Sequence, residues 1–282
     1  MIKEAEFFEK LENNKVKCIL CPRNCTIEDE ETGFCGARQN KEGSLYTLIY
    51  GEISSISADP IEKKPLYHFF PGSFVMSVGT IGCNMRCIHC QNWTISRAKE
   101  IDYIDNTEDK KTMFLNVEDL IKYAKLRNCK GIAYTYNEPS IWYEYALEGM
   151  KSAKKNNLYT VFVTNGYINP DALDKLGQYL DAYSVDLKGF NLDFYKKFCK
   201  INNYEIILEN IISAKKKWDM MVEITTNIVP TYNDDPGELE KIATWIKNEV
   251  GEDTPWHVSK FNPCLELINM DSTPIETLKM AR

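Results

Sequence analysis

Six apolar, β-branched runs separated by helical patterns constrain this chain more than any other feature of it. The runs fall at 74–79, 131–136, 158–164, 182–187, 221–229 and 256–261, and the helical patterns near 117–127, 140–156, 170–180, 204–218 and 236–250. Strands that alternate with helices connect through right-handed crossovers and lie parallel in one sheet. Tyr159-Thr-Val-Phe-Val163 is almost continuously apolar, as a strand covered on both faces must be. Each run ends in polar residues: Thr80 to Cys83, Asn137-Glu138, Thr164-Asn165-Gly166, Asp186-Leu187-Lys188, Thr225-Thr226-Asn227 and Phe261-Asn262. In a parallel barrel the C-terminal strand ends open on one face and converge on one ligand. The expected fold class is therefore α/β, a partial (β/α)6 barrel over residues 73–282. A doubly wound open sheet is the alternative, but no Gly-x-Gly-x-x-Gly follows the first strand.

Residues 1–72 are organised differently. Ile2, Ala5, Phe8 and Leu11 fall at helical spacing ahead of Asn13-Asn14, which predicts a short surface helix over 2–12. Leu45-Tyr-Thr-Leu-Ile-Tyr50 predicts a strand. Between them stand Cys18, Cys21, Cys25 and Cys35, so this segment is expected to be a small Cys-rich extension with short strands around a metal site. Near the other end, Thr273-Pro-Ile-Glu-Thr-Leu-Lys predicts a capped helix running to the last residues.

The net charge of −7 and pI near 5.2 argue against a nucleic-acid or anionic-membrane partner, which calls for a basic excess. Charged Lys3, Glu4 and Glu6 stand where a secretory leader is apolar, and no later stretch offers about 18 uncharged apolar residues. A cytoplasmic protein without a membrane partner is expected. Ten cysteines in a reducing compartment are not a disulfide framework, and seven of them cluster as ligand sets do. Cys129, Cys199 and Cys264 are scattered, as small buried hydrophobes are, and receive no role.

Cys83-Asn-Met-Arg-Cys87-Ile-His-Cys90 follows a strand and a Gly79–Gly82 loop. Three thiolates at this spacing bind three irons of a [4Fe–4S] cubane and leave the fourth open; a zinc knot is the alternative. His89, between two of these cysteines, suits packing against a ligand's ring better than metal ligation. Cys18-x2-Cys21-x3-Cys25-x9-Cys35 is a complete four-thiolate set. It fits zinc, which would fix a segment too small to bury its own core, and equally an auxiliary [4Fe–4S] cluster.

The C-x3-C-x2-C pattern resembles the signature of the radical S-adenosylmethionine (SAM) superfamily, and Cys90-Gln-Asn-Trp93 is similar to the pyruvate formate-lyase activating enzymes. Cys21-Pro-Arg-Asn-Cys25, Ile61-Glu-Lys-Lys-Pro-Leu-Tyr-His68, Thr135-Tyr-Asn-Glu-Pro139 and Pro255-Trp-His-Val-Ser-Lys-Phe261 resemble the AmmeMemoRadiSam-system branch, over nearly the whole chain from residue 18. The resemblance implies that Cys83, Cys87 and Cys90 are the catalytic cluster ligands, that the open iron chelates the amino and carboxylate groups of SAM, and that reductive cleavage yields a 5′-deoxyadenosyl radical. It implies further that Asn137 and Glu138 stand at the family's Gly-Gly-Glu motif, with Glu138 accepting a hydrogen bond from the SAM amino group. Thr164, Asn165, Asp186 and Lys188 match the ribose- and carboxylate-contacting segments, Lys188 pairing with the SAM carboxylate. Asn227, His257 and Asn262 complete the implied cofactor-binding set. Taken alone, Glu138 before Pro139 is a helix-start carboxylate and Asp186–Lys188 a solvated ion pair. Two positions depart from the activases: Val163 replaces an aspartate of a monovalent-cation site, and Asn262 a histidine after the last strand, the nearest imidazole being His257.

The implied function is hydrogen abstraction from a protein or peptide substrate, as glycyl-radical activases perform, with a low-potential reductant such as a ferredoxin or flavodoxin. A laterally open barrel admits a peptide loop. A small-molecule substrate is the second possibility. An iron–sulfur electron-transfer or scaffold protein is the third; it accounts for seven cysteines but not for six strand ends converging on a ligand.

Overall fold

A computed structural model describes residues 2–97 and 112–282. The N-terminal part carries β1 (Lys3–Glu4), β2 (Phe8–Lys10), β3 (Val16–Cys18), β4 (Thr26–Ile27), β5 (Arg38–Lys41) and β6 (Ser44–Thr47), in two three-stranded sheets ordered β1-β6-β5 and β2-β3-β4. The helix expected over 2–12 does not form. Phe7 adopts a φ of 60°, and the backbone on either side pairs with β6 and β3 instead. Ile2 and Leu11 are exposed, so their spacing marks no buried face.

β7 (Glu52–Ile53) pairs with β10 (Met113–Phe114), outside the main sheet. That sheet holds seven strands: β8 (Ser55–Pro60), β9 (Phe74–Gly79), β11 (Gly131–Tyr134), β12 (Tyr159–Thr164), β13 (Ala182–Asp186), β14 (Met221–Ile228) and β15 (Trp256–Lys260). Its order, β15-β14-β13-β12-β11-β9-β8, follows the chain, and all neighbours are parallel except β8 against β9. The six strands read from the sequence are thus present and parallel. β8 lies on the other side of the division expected at residue 72, yet it belongs to this sheet. It pairs from Ser55↔Gly79 to Pro60↔Phe74 and covers amide groups that β9 would otherwise leave bare at the edge.

Helices fill the crossovers: α1 (Trp93–Ser96) and α2 (Val117–Leu126) after β9, α3 (Tyr143–Lys155) after β11, α4 (Pro170–Gly177) after β12, α5 (Leu192–Phe194) and α6 (Glu205–Lys216) after β13, α7 (Pro236–Trp245) after β14, and α8 (Ile275–Ala281) after β15. α2 shows why they form. Asn116 caps its first turn by accepting from the Asp119 amide at 2.8 Å, and Val117, Leu120, Ile121 and Ala124 make one buried stripe. Outward-facing Ile132, Tyr134, Phe162, Tyr183, Val222 and Ile224 meet such stripes in the main core.

The inner face is filled differently at its two ends. Toward the strands' N-terminal ends, the segment 61–73 folds in, and Ile61, Leu66 and Phe69 pack on Val75, Ala133, Val161 and Ala182. This floor closes one mouth of the barrel. The other mouth, at the C-terminal strand ends, stays open.

Candidate active site

A cavity of about 420 Å³ occupies the open mouth. Its wall contains Cys83, Cys87, His89 and Cys90 from the loop after β9, Asn137 and Glu138 after β11, Thr164 and Asn165 at the end of β12, Asp186 and Lys188 at the end of β13, and Asn227 on β14. The strand ends converge as the alternation of elements requires. Two expected members stand elsewhere. His257 is not part of the wall, because its Nε2 turns to Glu223 Oε2 at 2.7 Å; Asn262 lies past the end of β15 and is exposed.

Asn137 shapes the cysteine loop rather than presenting a free amide. Its Oδ1 accepts from the Thr80 amide at 3.1 Å and its Nδ2 donates to the Gly82 carbonyl at 2.9 Å. Gly82 has a φ of +91°, and a Cβ there would meet the Cys35 carbonyl oxygen at 2.6 Å, so only glycine fits. Glu138 is buried and takes three hydrogen bonds: from the Ser140 amide (3.0 Å) and the Thr164 hydroxyl (2.7 Å) on Oε1, and from the Asn165 amide (2.8 Å) on Oε2. Burial raises its pKa, against the pull of those donors. The helix-start role is real, since the Ser140 bond caps the 3-10 turn Pro139–Trp142, and the same carboxylate also ties two strand ends together. Lys188 is partly buried at the cavity wall, its side chain 11% exposed, and pairs with Asp186.

Burial pushes the Cys83 thiol well above its ordinary pKa, with the Glu138 charge adding to it, and burial raises Cys90 as well. Cys87 falls, first through its hydrogen bond with the buried Cys199, a residue to which the sequence assigned no role. Thiols this enclosed become thiolates when a cation replaces the proton. His89 packs tilted against the Phe198 ring, with centroids 4.4 Å apart, and burial, aided by the Lys188 charge, lowers its pKa to about 3, so it stands neutral in the cavity wall. The cavity also takes Lys63, Lys64 and Pro65 from the floor segment, together with Tyr136, Ser184, Thr225 and Ser259. The Ile61-to-His68 motif held a signal for the first three; Ser184, Thr225 and Ser259 follow from the inward parity of their strands, whereas Tyr136 lies past the end of β11 with a φ of 73°.

A second, smaller cavity is lined by all four of Cys18, Cys21, Cys25 and Cys35, with Arg38, Phe34 and Asn84 beside them. Burial raises the Cys21 thiol and pushes Cys35 up to about 11. Among the described residues, the set of His, Cys, Asp and Glu side chains whose ligand atoms all lie within 4.8 Å of one another is His68, Glu223 and His257. The three-thiolate loop suits a [4Fe–4S] cluster with one iron left open, and the closed four-thiolate set suits zinc or a second cluster.

Residues 77–246 match the family model of the radical SAM superfamily. An uncharacterized protein of Methanocaldococcus jannaschii is 45% identical over 100% of this chain and 81% of its own length. A putative glycyl-radical enzyme activating enzyme of the same organism is 29% identical over 77% of this chain and 75% of its own length. Among solved structures, a radical SAM methyltransferase from Sphaerobacter thermophilus shares the fold with a TM-score of 0.52, at 15% identity over 76% of this chain and 64% of that one. With the cysteine loop at the mouth of a parallel (β/α)6 barrel, these matches identify the chain as an enzyme of the radical SAM superfamily.

Proposed function

We propose that this enzyme cleaves SAM reductively and abstracts hydrogen from a protein or peptide substrate. One observation carries this: Cys83, Cys87 and Cys90 share a single cavity with polar groups from successive strand ends. When bound, a [4Fe–4S] cluster on these thiolates supplies the electron that opens the SAM sulfonium and releases a 5′-deoxyadenosyl radical. The protein's part is orientation. Glu138 keeps an oxygen, Oε2, with one donor from the chain, so a SAM ammonium has a charged acceptor there. Lys188 offers its ammonium to a carboxylate in exchange for Asp186. His89 is a neutral, buried ring for packing on the ligand. The relative named as a glycyl-radical enzyme activating enzyme supports the macromolecular substrate class, as does a sheet whose edge strands β8 and β15 do not pair with each other. The four-cysteine cavity is read as an auxiliary [4Fe–4S] site because it adjoins the SAM-cleaving loop, with Asn84 in its lining and the Cys35 carbonyl against Gly82.

The test uses anaerobically reconstituted, reduced protein with SAM and candidate substrates carrying deuterium. Deuterium in 5′-deoxyadenosine only when a protein or peptide is supplied supports the proposal. Transfer from small molecules alone replaces the substrate class, and absence of SAM cleavage by a cluster-loaded protein overturns the reading.

A further inference from the structure

Two of the three histidines of the chain converge on one buried glutamate, below the cavity just described. Glu223 lies on β14 with no exposed surface. Its Oε2 stands 3.0 Å from the Tyr67 amide nitrogen, 3.1 Å from His68 Nδ1 and 2.7 Å from His257 Nε2, while Oε1 accepts from the His68 amide at 2.8 Å. Three nitrogens thus crowd one oxygen that has about two lone-pair directions. The Tyr67 amide already takes one of those directions, so a single direction on Oε2 is left for two imidazoles. The charge also lacks a cationic side chain: its ion-pair partners among the described residues are the two histidines.

We propose that His68, Glu223 and His257 form a divalent transition-metal site, a two-histidine, one-carboxylate set of the kind that binds zinc or ferrous iron. A cation between the three atoms turns the crowding into coordination, the imidazoles giving lone pairs and the carboxylate balancing the charge. The donor atoms all lie within 4.8 Å of one another, so bonds of about 2.0–2.2 Å need only small shifts of the rings. Three protein ligands leave a position for water, and the His68 side chain, 57% exposed, provides the way in.

Its place in the fold gives the site a purpose. β15 and β8 are the two ends of the open sheet. His257 sits on β15, and His68 belongs to the floor segment that follows β8. An ion held by both fastens one border of the barrel to the other across its seam. The same floor segment puts Lys63 and Lys64 into the wall of the large cavity, so the clasp also steadies that wall.

Zinc is the probe, added to anaerobically reconstituted full-length protein after dialysis against a weak chelator. Metal analysis is expected to show about one more zinc in the wild type than in His68→Ala or His257→Ala, with iron unchanged. Glu223→Gln keeps the shape but loses the charge and one of the two oxygens that accept from the amides, and should bind zinc at least about tenfold more weakly. Zinc should raise the melting temperature of the wild type and leave that of His68→Ala where it was. His68 is largely exposed, so its variant tests ligation without emptying a core site. Anomalous scattering at the zinc edge should place the ion among the three side chains. Equal zinc in wild type and His68→Ala, or an anomalous peak only at the cysteines, would overturn the site and leave Glu223 as an anchor of the floor.

Discussion

Glu138 illustrates how one side chain serves both fold and chemistry. Its Oε1 is fully used by Ser140 and Thr164, whereas Oε2 holds only the Asn165 amide, leaving one strong acceptor direction for a ligand. Glu138→Gln keeps the shape but removes the charge and puts donor hydrogens where the chain already donates. SAM affinity should fall by about 1.5–3 kcal/mol, the worth of a hydrogen bond to a charged group. Anaerobic titration of SAM measures this, with unchanged iron content as the control; unaltered affinity returns Glu138 to its structural bonds alone. A harsher outcome is expected of Cys83→Ala, Cys87→Ala or Cys90→Ala, since each removes one of the three ligands that leave a single iron open. Each should abolish formation of 5′-deoxyadenosine, and any one that keeps it refutes the ligand set. The wall was legible at these positions because strand ends announce themselves as polar groups after apolar runs. His257 entered only through the resemblance, as the nearest imidazole to Asn262; its ring is directed instead by Glu223, 34 residues earlier.

At the level of elements, alternation of strand and helix was enough to place six parallel strands, because a buried strand has no other way to read. The edge strand β8 was not legible: Ser-Ile-Ser-Ala-Asp-Pro is polar and ends in proline, and only pairing with β9 makes it a strand. Its Asp59 is what fastens the floor segment. Asp59 Oδ2 accepts from Lys64 at 3.0 Å and from the Tyr136 hydroxyl at 3.1 Å, with both members of the ion pair buried. Burial works against the charged carboxylate, but the lysine hydrogen bonds outweigh it and hold Asp59 well below the usual carboxylate range. At Lys64 burial wins and the pKa falls, so the ammonium is the member that most needs its partner. Asp59→Asn leaves that ammonium without its counter-charge and should cost about 3–5 kcal/mol at neutral pH. A depressed carboxylate contributes above its unfolded pKa, about 3.9, and loses the contribution as pH falls through the folded value. Denaturant unfolding should therefore show a gap between wild type and variant that is full at pH 7 and narrows below about pH 4. A gap independent of pH would mean that the loss is one of packing.

Across the whole molecule, the two cysteine sets share a wall. Cys35 presses its carbonyl on Gly82, Arg86 donates to the Phe34 carbonyl at 2.8 Å, and Arg23 and Arg86 both lie over the Phe34 ring, at 3.4 and 4.4 Å. Asn84 borders the four-cysteine cavity and accepts from Asn165, in the wall of the large one, at 2.9 Å. Arg38, also at the small cavity, forms a buried pair with Glu144 of α3, so the small sheets are bound to the barrel by charge as well as by packing. None of this was legible from cysteine spacing, which fits zinc and iron alike. An auxiliary cluster at the four cysteines, as proposed, predicts about eight irons per chain after anaerobic reconstitution, four for each cluster. Cys21→Ala with Cys25→Ala should lower the count to about four and keep SAM cleavage by the remaining cluster with an artificial reductant. If a physiological protein reductant then fails where the artificial one succeeds, the second cluster is on the electron's route; if both succeed, it serves the fold. Four irons in the wild type, with zinc that is lost on replacing Cys21 and Cys25 and kept in His68→Ala, would make the site a zinc knot and refute the auxiliary cluster.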